Sequence, residues 1–183
     1  MTRVPSHTTP DGLDPEALNV FEHIRKSRGN VIGSFAVLLA SPPVAKLIAD
    51  LGAYMRFESV LAPKVRELAI ASALRECDAQ FEWGPHEGFA EKAGVSPEAI
   101  DAIKHRRSLD GLAPDESSII AYARELLTDH KVSDTTYASV AGMLDTREVT
   151  ELTGLLGYYA MVSAVLNAFE VPALPDMPLL PPR

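Results

Sequence analysis

The residues best suited to chemistry lie in one stretch of the chain, Cys77 to Gly94. Written as a helix, this stretch places Glu82 and His86 four residues apart on one face, where their side chains can touch. The rest of that face is apolar and consists of Ala79, Phe89, Ala90 and Ala93. Because burying charged groups is costly unless they are paired, a carboxylate and an imidazole on a core-facing stripe need a partner or a task.

A second carboxylate lies on the preceding predicted helix. Glu67 is followed at three, four and seven residues by Ile70, Ala71 and Leu74, so it too lies on an apolar stripe. If the two helices pack together, Glu67 comes close to His86. Two carboxylates around one imidazole can fix its tautomer or hold it protonated, and such a trio can move a proton at neutral pH. The alternative is a buried ion pair that only holds two helices in register.

Other kinds of site are less well supported. Glu82 and His86 have the spacing of two metal ligands, but no third ligand is evident, so no metal is expected. The single cysteine, Cys77, excludes a Cys-x-x-Cys centre and is expected to be a small buried apolar residue. Ser72 and Ser163 lack a nucleophile-elbow context, which argues against a serine hydrolase.

Proline and short polar residues mark where the positioning helices begin. A proline at the first helical position predicts helix starts at Pro15, Pro42, Pro63, Pro97 and Pro114. Asp78 is predicted to cap the helix that ends at Gly94, and Ser133 to cap a later one. Asp145 with Glu148 resembles a capping box that opens the last helix. No segment alternates with period two, so the fold class is predicted to be all-α, with about eight or nine helices.

The chain is expected to form one helical domain over residues 14–170. Residues 1–13 are polar, contain prolines and are expected to be flexible. The last helix carries an apolar stripe that includes Leu152, Leu155 and Tyr159, typical of a core helix. Residues 171–183 are proline-rich and are predicted to form an extended tail.

Composition narrows the class of protein. The chain has 183 residues, 46% hydrophobic and 23% charged, which is typical of a soluble globular protein. Its net charge of −8 argues against nucleic acid as a partner. The longest apolar run, Val31 to Ala40, is about ten residues and too short to span a bilayer. The N-terminal residues lack the apolar core of a signal peptide, and the single cysteine fits a reducing compartment. A cytoplasmic location with no membrane partner is expected.

Several motifs resemble the carboxymuconolactone decarboxylase family, within the all-helical AhpD-like superfamily. The matching pieces are Arg66-Glu67-Leu-Ala-Ile, Phe81-Glu82-Trp83-Gly-Pro-His86, Ala93-Gly94-Val-Ser-Pro-Glu-Ala-Ile100 and Glu151-Leu-Thr-Gly-Leu-Leu-Gly-Tyr-Tyr. The resemblance implies an AhpD-like helical domain over roughly residues 20–170. It also implies a homo-oligomer, commonly a trimer or hexamer, acting on a small molecule.

The decarboxylase branch implies cofactor-free loss of CO₂ from a small carboxylated lactone in aromatic-acid catabolism. His86 then becomes the proton donor, with Glu67 and Glu82 tuning it. Trp83 and Tyr158 are candidates for lining the substrate pocket, and Arg66 is a candidate contact for an anionic substrate. This cofactor-independent acid–base lyase is the leading functional hypothesis.

The AhpD branch implies a peroxidase or disulfide-reductase site: a glutamate, a Cys-x-x-Cys pair and a histidine. Glu67 and His86 match the first and last, whereas Ala79 and Glu82 occupy the cysteine positions, so the redox dithiol is missing. A peroxiredoxin-type antioxidant activity that uses Cys77 is a second hypothesis. A third is a non-catalytic helical oligomer or small-molecule binder in which the polar trio is structural.

Overall fold

The computed structural model describes residues 2–182, and over this range the chain folds into nine α-helices with no β-strand. The helices are Pro15–Arg28 (α1), Ser34–Leu38 (α2), Pro42–Ala53 (α3), Pro63–Glu76 (α4), Gln80–Lys92 (α5), Pro97–Lys104 (α6), Pro114–Arg124 (α7), Asp134–Ala141 (α8) and Thr146–Ala168 (α9). The all-α fold class is therefore confirmed.

Helix starts follow the predicted signals closely. Five helices begin at the expected prolines, where the missing N–H costs no intrahelical hydrogen bond. Ser133 accepts the hydrogen bond from the Thr136 amide and caps α8. At the start of α9 the capping box is reciprocal: Glu148 N–H donates to Asp145 at 2.8 Å, and Asp145 N–H donates to Glu148 at 2.9 Å.

Three details differ from the sequence predictions. Asp78 does not cap α5; it has a positive φ of 49° and its carboxylate pairs with Arg75 at 3.3 Å. The sequence predicts a helix from Pro42 to about Phe57, whereas α3 ends at Ala53 and a π-helical turn, Tyr54–Glu58, follows it. The five-residue helix α2 was not predicted, since so short a segment shows no helical periodicity.

The described residues form two compact units. The first comprises residues up to Ser59 together with Ala164–Pro172, and the second comprises Val60–Ser163 together with residues 173–182. In the first unit α3 packs against α1 and α2. Residues 2–13 contain no helix, although backbone amides of this segment donate to the carbonyls of Ala36 and Phe169.

Helix α4 is the centre of the second unit, where it packs against α5, α6 and α7. Its residues 67–76 are all buried, on every side of the helix, as expected for a helix enclosed by its neighbours. Two of the polar members of this run have clear partners. Ser72 donates to the Leu68 carbonyl at 2.8 Å, and Glu76 forms ion pairs with Arg106 and Arg124.

Helix α9 is long and apolar enough to cross a membrane by length and composition alone. However, 56% of its most apolar window is buried inside the protein. Core helices of soluble proteins pass the same test, so this is weak evidence for a membrane span. Leu152 and Leu155 are completely buried, which agrees with the predicted core stripe.

A buried carboxylate ties α4 to the starts of α6 and α7. Glu116 is 2% exposed and accepts hydrogen bonds from the Ser96 amide at 2.8 Å and the Ser96 hydroxyl at 2.6 Å. Lys64 on α4 approaches the same carboxylate at 3.1 Å. Burial alone raises the pKa of Glu116, but the hydrogen bonds from Ser96 and the Lys64 ammonium outweigh burial and lower the pKa below its ordinary value.

Substituting Glu116→Gln should therefore destabilise the protein at neutral pH by about 1–3 kcal/mol, the cost of weakening charged hydrogen bonds at a buried site. Because the folded pKa of Glu116 lies below its unfolded value, this contribution is complete above the unfolded pKa and is lost as the pH falls through the folded pKa. Denaturant unfolding of both proteins at pH 7 and at several acidic pH values measures the difference. The exposed Glu98→Gln on α6 is the matched control; a difference that does not shrink with acidification would contradict the assignment.

Candidate active site

The packing of α4 against α5 brings Glu67 and His86 into direct contact. Glu67 Oε2 lies 2.9 Å from His86 Nδ1, a normal hydrogen-bond distance. Glu67 is 6% exposed and His86 is 1% exposed. Residues that lie 19 positions apart in the chain thus form one buried polar pair.

This contact gives the two imidazole nitrogens different roles. A carboxylate can only accept, so His86 Nδ1–H donates to Glu67, which fixes the orientation of the ring. His86 Nε2 points to the other side, where the Tyr159 hydroxyl lies at 3.4 Å and Glu82 Oε2 at 3.8 Å. Nε2 is therefore the atom that can exchange a proton with a substrate.

Glu82 is the most exposed member of the predicted trio. Its side chain keeps 19% of its surface accessible, and it faces His86 Nε2 within ion-pair range rather than hydrogen-bond range. Glu67 and Glu82 therefore lie on opposite nitrogens of one imidazole. The structure brings all three predicted residues together, and of the three only the Glu82 side chain is substantially accessible to solvent.

Tyr159 is the site residue that the sequence reasoning did not single out. Its ring packs edge-on against His86, with centroids 5.4 Å apart, and Phe89 packs in the same way at 5.4 Å. Tyr158, the predicted substrate contact, packs against Tyr159 at 5.2 Å instead. The available signal was the apolar stripe of α9, in which Tyr159 carries the one hydroxyl group.

Trp83 belongs to a separate polar cluster on α5. Its indole N–H donates to Glu87 at 2.9 Å, and Lys104 donates to both oxygens of the Glu87 carboxylate at 2.8 and 3.0 Å. Trp83 is completely buried. This placement accounts for Trp83 as a core aromatic and gives no support to its predicted contact with substrate.

Arg66 places a positive charge beside the site. Its Nε lies 3.8 Å from Glu67 Oε1, beyond hydrogen-bond range, and this nitrogen is buried without a hydrogen-bond partner among the described residues. The side chain keeps 19% of its surface accessible. Since buried polar groups are normally satisfied, this guanidinium is a candidate for holding an anion.

The structure also places Cys77 and Pro85. Cys77 follows the last residue of α4 and is half-buried, and it forms no disulfide within the described residues. Within residues 2–182, no group of three or more His, Cys, Asp or Glu side chains could hold a metal ion. Pro85 lies inside α5, where it cannot donate a hydrogen bond to the Phe81 carbonyl.

Solved structures with the same architecture are AhpD-like helical proteins. A Ralstonia eutropha protein described as an alkylhydroperoxidase AhpD core and peroxidase-related is 11% identical, with a TM-score of 0.73 over 96% of this chain and 93% of that chain. A peroxidase-related protein from a Silicibacter species is 13% identical, with a TM-score of 0.71 over 96% of both chains. A putative antioxidant defence protein AhpD from Agrobacterium tumefaciens is 14% identical, with a TM-score of 0.67 over 79% of this chain and all of that chain.

The fold is thus that of the AhpD-like class. Residues 42–125 match the carboxymuconolactone decarboxylase family, a segment that contains Arg66, Glu67, Glu82 and His86. The resemblance noted in the motifs is confirmed over this segment, which is similar to the carboxymuconolactone decarboxylase family. A search of curated proteins found no match.

The hydrogen bond to Glu67 makes a prediction about the proton on His86. In the neutral imidazole, Nδ1 should carry the proton and Nε2 should be bare, the reverse of the tautomer that free histidine prefers. ¹⁵N NMR of histidine-labelled protein distinguishes the two nitrogens, and a His86→Gln variant assigns the signal among the five histidines. Glu67→Leu should abolish the Nδ1–H preference. An Nε2–H tautomer in the unsubstituted protein would contradict the arrangement.

Proposed function

We propose that this protein is a cofactor-independent acid–base lyase that decarboxylates a small carboxylated or lactone-type substrate, such as those of aromatic-acid catabolism. The observation that carries the proposal is His86 itself. One nitrogen is held by a buried carboxylate at 2.9 Å, and the other faces a hydroxyl group and a second, partly exposed carboxylate. An imidazole supported in this way is suited to delivering a proton and recovering it.

The chemistry needs one proton and one place for negative charge. When the bond between the substrate carbon and its carboxylate breaks, CO₂ leaves and the bonding electron pair passes into a conjugated carbonyl group of the substrate. Protonated His86 then gives its Nε2 proton to that carbon, while the proton on Nδ1 stays on the imidazole, hydrogen-bonded to Glu67. Water returns a proton to Nε2 through Glu82, the side chain that links the imidazole to solvent.

Two neighbouring groups are assigned supporting roles. Tyr159 holds its hydroxyl 3.4 Å from Nε2 and can donate to oxygen atoms of the substrate where negative charge develops. Arg66 is proposed to bind the substrate carboxylate, because its buried Nε has no partner among the described residues. Tyr158 remains a proposed lining residue. A cytoplasmic homo-oligomer, trimeric or hexameric, without nucleic acid or membrane partners, is part of the same proposal.

Replacing His86 or Glu67 should abolish turnover without unfolding the protein. For His86→Gln and Glu67→Gln we expect kcat/KM to fall about 10²–10⁴-fold, the usual contribution of general acid–base catalysis. CO₂ release and loss of ultraviolet absorbance, measured across a panel of lactone carboxylates and oxo acids, provide the assay. Circular dichroism checks the fold.

The matched control is Glu76→Gln on the same helix. Glu76 is also a buried carboxylate, but its partners are Arg106 and Arg124 rather than His86. Its substitution should lower stability and leave kcat/KM close to that of the unsubstituted enzyme below the melting temperature. Equal activity in His86→Gln and the unsubstituted enzyme would remove the proposal.

A hydroperoxide-reducing enzyme is the second candidate, favoured by the descriptions of the solved neighbours as peroxidase-related. In that reaction the Cys77 thiolate would cleave the O–O bond, giving an alcohol and a sulfenic acid that an external thiol reduces. With one cysteine the chain supplies no resolving thiol of its own.

The acid–base proposal predicts that Cys77→Ser leaves decarboxylation unchanged. It also predicts that hydroperoxide consumption with an external dithiol is no faster than the background reaction. Peroxide loss followed by a colorimetric assay, with mass spectrometry of Cys77 after peroxide treatment, tests both points. Rapid peroxide loss that disappears in Cys77→Ser would favour the redox candidate.

A further inference from the structure

The C-terminal tail lies against the first turns of α5, the helix that carries Glu82 and His86. Gln80 recognises the tail backbone with both ends of its amide: Leu180 N–H donates to its Oε1 at 2.9 Å, and its Nε2 donates to the Leu180 carbonyl at 3.0 Å. Arg75, which is 3% exposed, donates to the Pro181 carbonyl at 2.9 Å. The Leu180 side chain is 4% exposed.

The tail also approaches α5 closely at Gly84. A methyl group at this position would lie 2.6 Å from Cβ of Met177 and 3.2 Å from its Cγ, both shorter than normal contacts between carbon atoms. Gly84 lies midway between Glu82 and His86 in the sequence. Because Gly84 has no side chain, Met177 of the tail can pack against α5 at a position between Glu82 and His86 in the sequence.

The same part of α5 has weak support of its own. Its N-cap residue, Ala79, provides no side-chain cap, and Pro85 leaves the Phe81 carbonyl without its usual intrahelical donor. An uncapped start and an internal proline both lower the stability of the turns that carry Glu82 and His86. The tail contacts supply external hydrogen bonds and packing to those turns.

We propose that tail residues 177–181 form a positioning strap that holds the Glu82–His86 segment of α5 in register for proton transfer. Gln80 and Gly84 are its positioning residues; neither is expected to touch the substrate. The catalytic consequence rests on the proposed function, whereas the effect on the geometry of His86 does not.

The test is a pair of glycine substitutions on the same helix. Gly84→Ala should displace Met177, whereas Gly88→Ala, one turn later, adds a methyl group with nothing within 4 Å. Alanine is the better helix former at both positions, so propensity alone favours both variants. The two variants should therefore differ only through the clash between the new methyl group at position 84 and Met177.

Gly84→Ala should raise the hydrogen-exchange rate of the Leu180 amide, which donates to Gln80, roughly tenfold or more, because overpacking releases the tail. It should also shift the ¹⁵N signals of the His86 ring. The double variant Gly84→Ala/Met177→Gly removes both clashing atoms, leaves the Pro178 carbonyl oxygen 3.4 Å away, and should restore both readouts. Gly88→Ala should change neither.

Gln80→Ala provides a second route, since it removes two tail hydrogen bonds without adding volume and should reproduce both changes. If the Leu180 amide exchanges faster while the ¹⁵N signals of the His86 ring stay unchanged, the tail packs on α5 without positioning the site, and the proposal is overturned. Unchanged tail exchange in Gly84→Ala overturns it as well. Where a substrate is turned over, kcat should fall in Gly84→Ala and recover in the double variant. If no variant turns over a substrate but the His86 signals shift as expected, the result counts against the proposed function and supports the strap.

Discussion

A hydrogen bond between two buried side chains, Glu67 and His86, links α4 to α5, and the arrangement of the candidate site depends on it. The imidazole of α5 donates to the buried Glu67 carboxylate and offsets part of the cost of enclosing that charge on α4. The pair therefore joins α4 to α5 at one defined point. Glu116 ties α4 to the starts of α6 and α7 in the same manner, through hydrogen bonds that outweigh the cost of burial.

Much of this arrangement could be predicted from local rules. Proline at the first turn and polar caps mark helix starts, and helical spacing places Glu82 beside His86 and Glu67 on an apolar stripe. What spacing cannot supply is the rotation of one helix against another. Tyr158 and Tyr159 differ by about 100° around α9, and only the packed structure decides that Tyr159 faces His86. Asp78 failed as a cap for a related reason: its left-handed backbone turns the chain between α4 and α5, and its side chain pairs with Arg75.

The site also explains why one helical fold can host different reactions. Its solved neighbours are described as peroxidase-related, yet fold alone does not determine chemistry. Here a carboxylate, Glu82, stands at one of the two positions that the resemblance assigns to cysteines. That side chain faces Nε2 of His86 and keeps contact with solvent. At this position a carboxylate cannot take part in thiol–disulfide exchange, whereas the proposed acid–base reaction would use it to carry protons.

A purely structural role for the site would require fewer charged side chains around His86 than the site contains. One acceptor for Nδ1 of His86 satisfies the buried ring, and Glu67 provides it. A second carboxylate on Nε2 and a guanidinium whose buried Nε donates to none of the described residues add desolvation cost without a compensating hydrogen bond in the fold. Apolar residues of similar size at Glu82 and Arg66 would pack α4 and α5 at lower cost. The charge around one oriented imidazole is what the proposed reaction would use, since that reaction moves a proton and holds an anion.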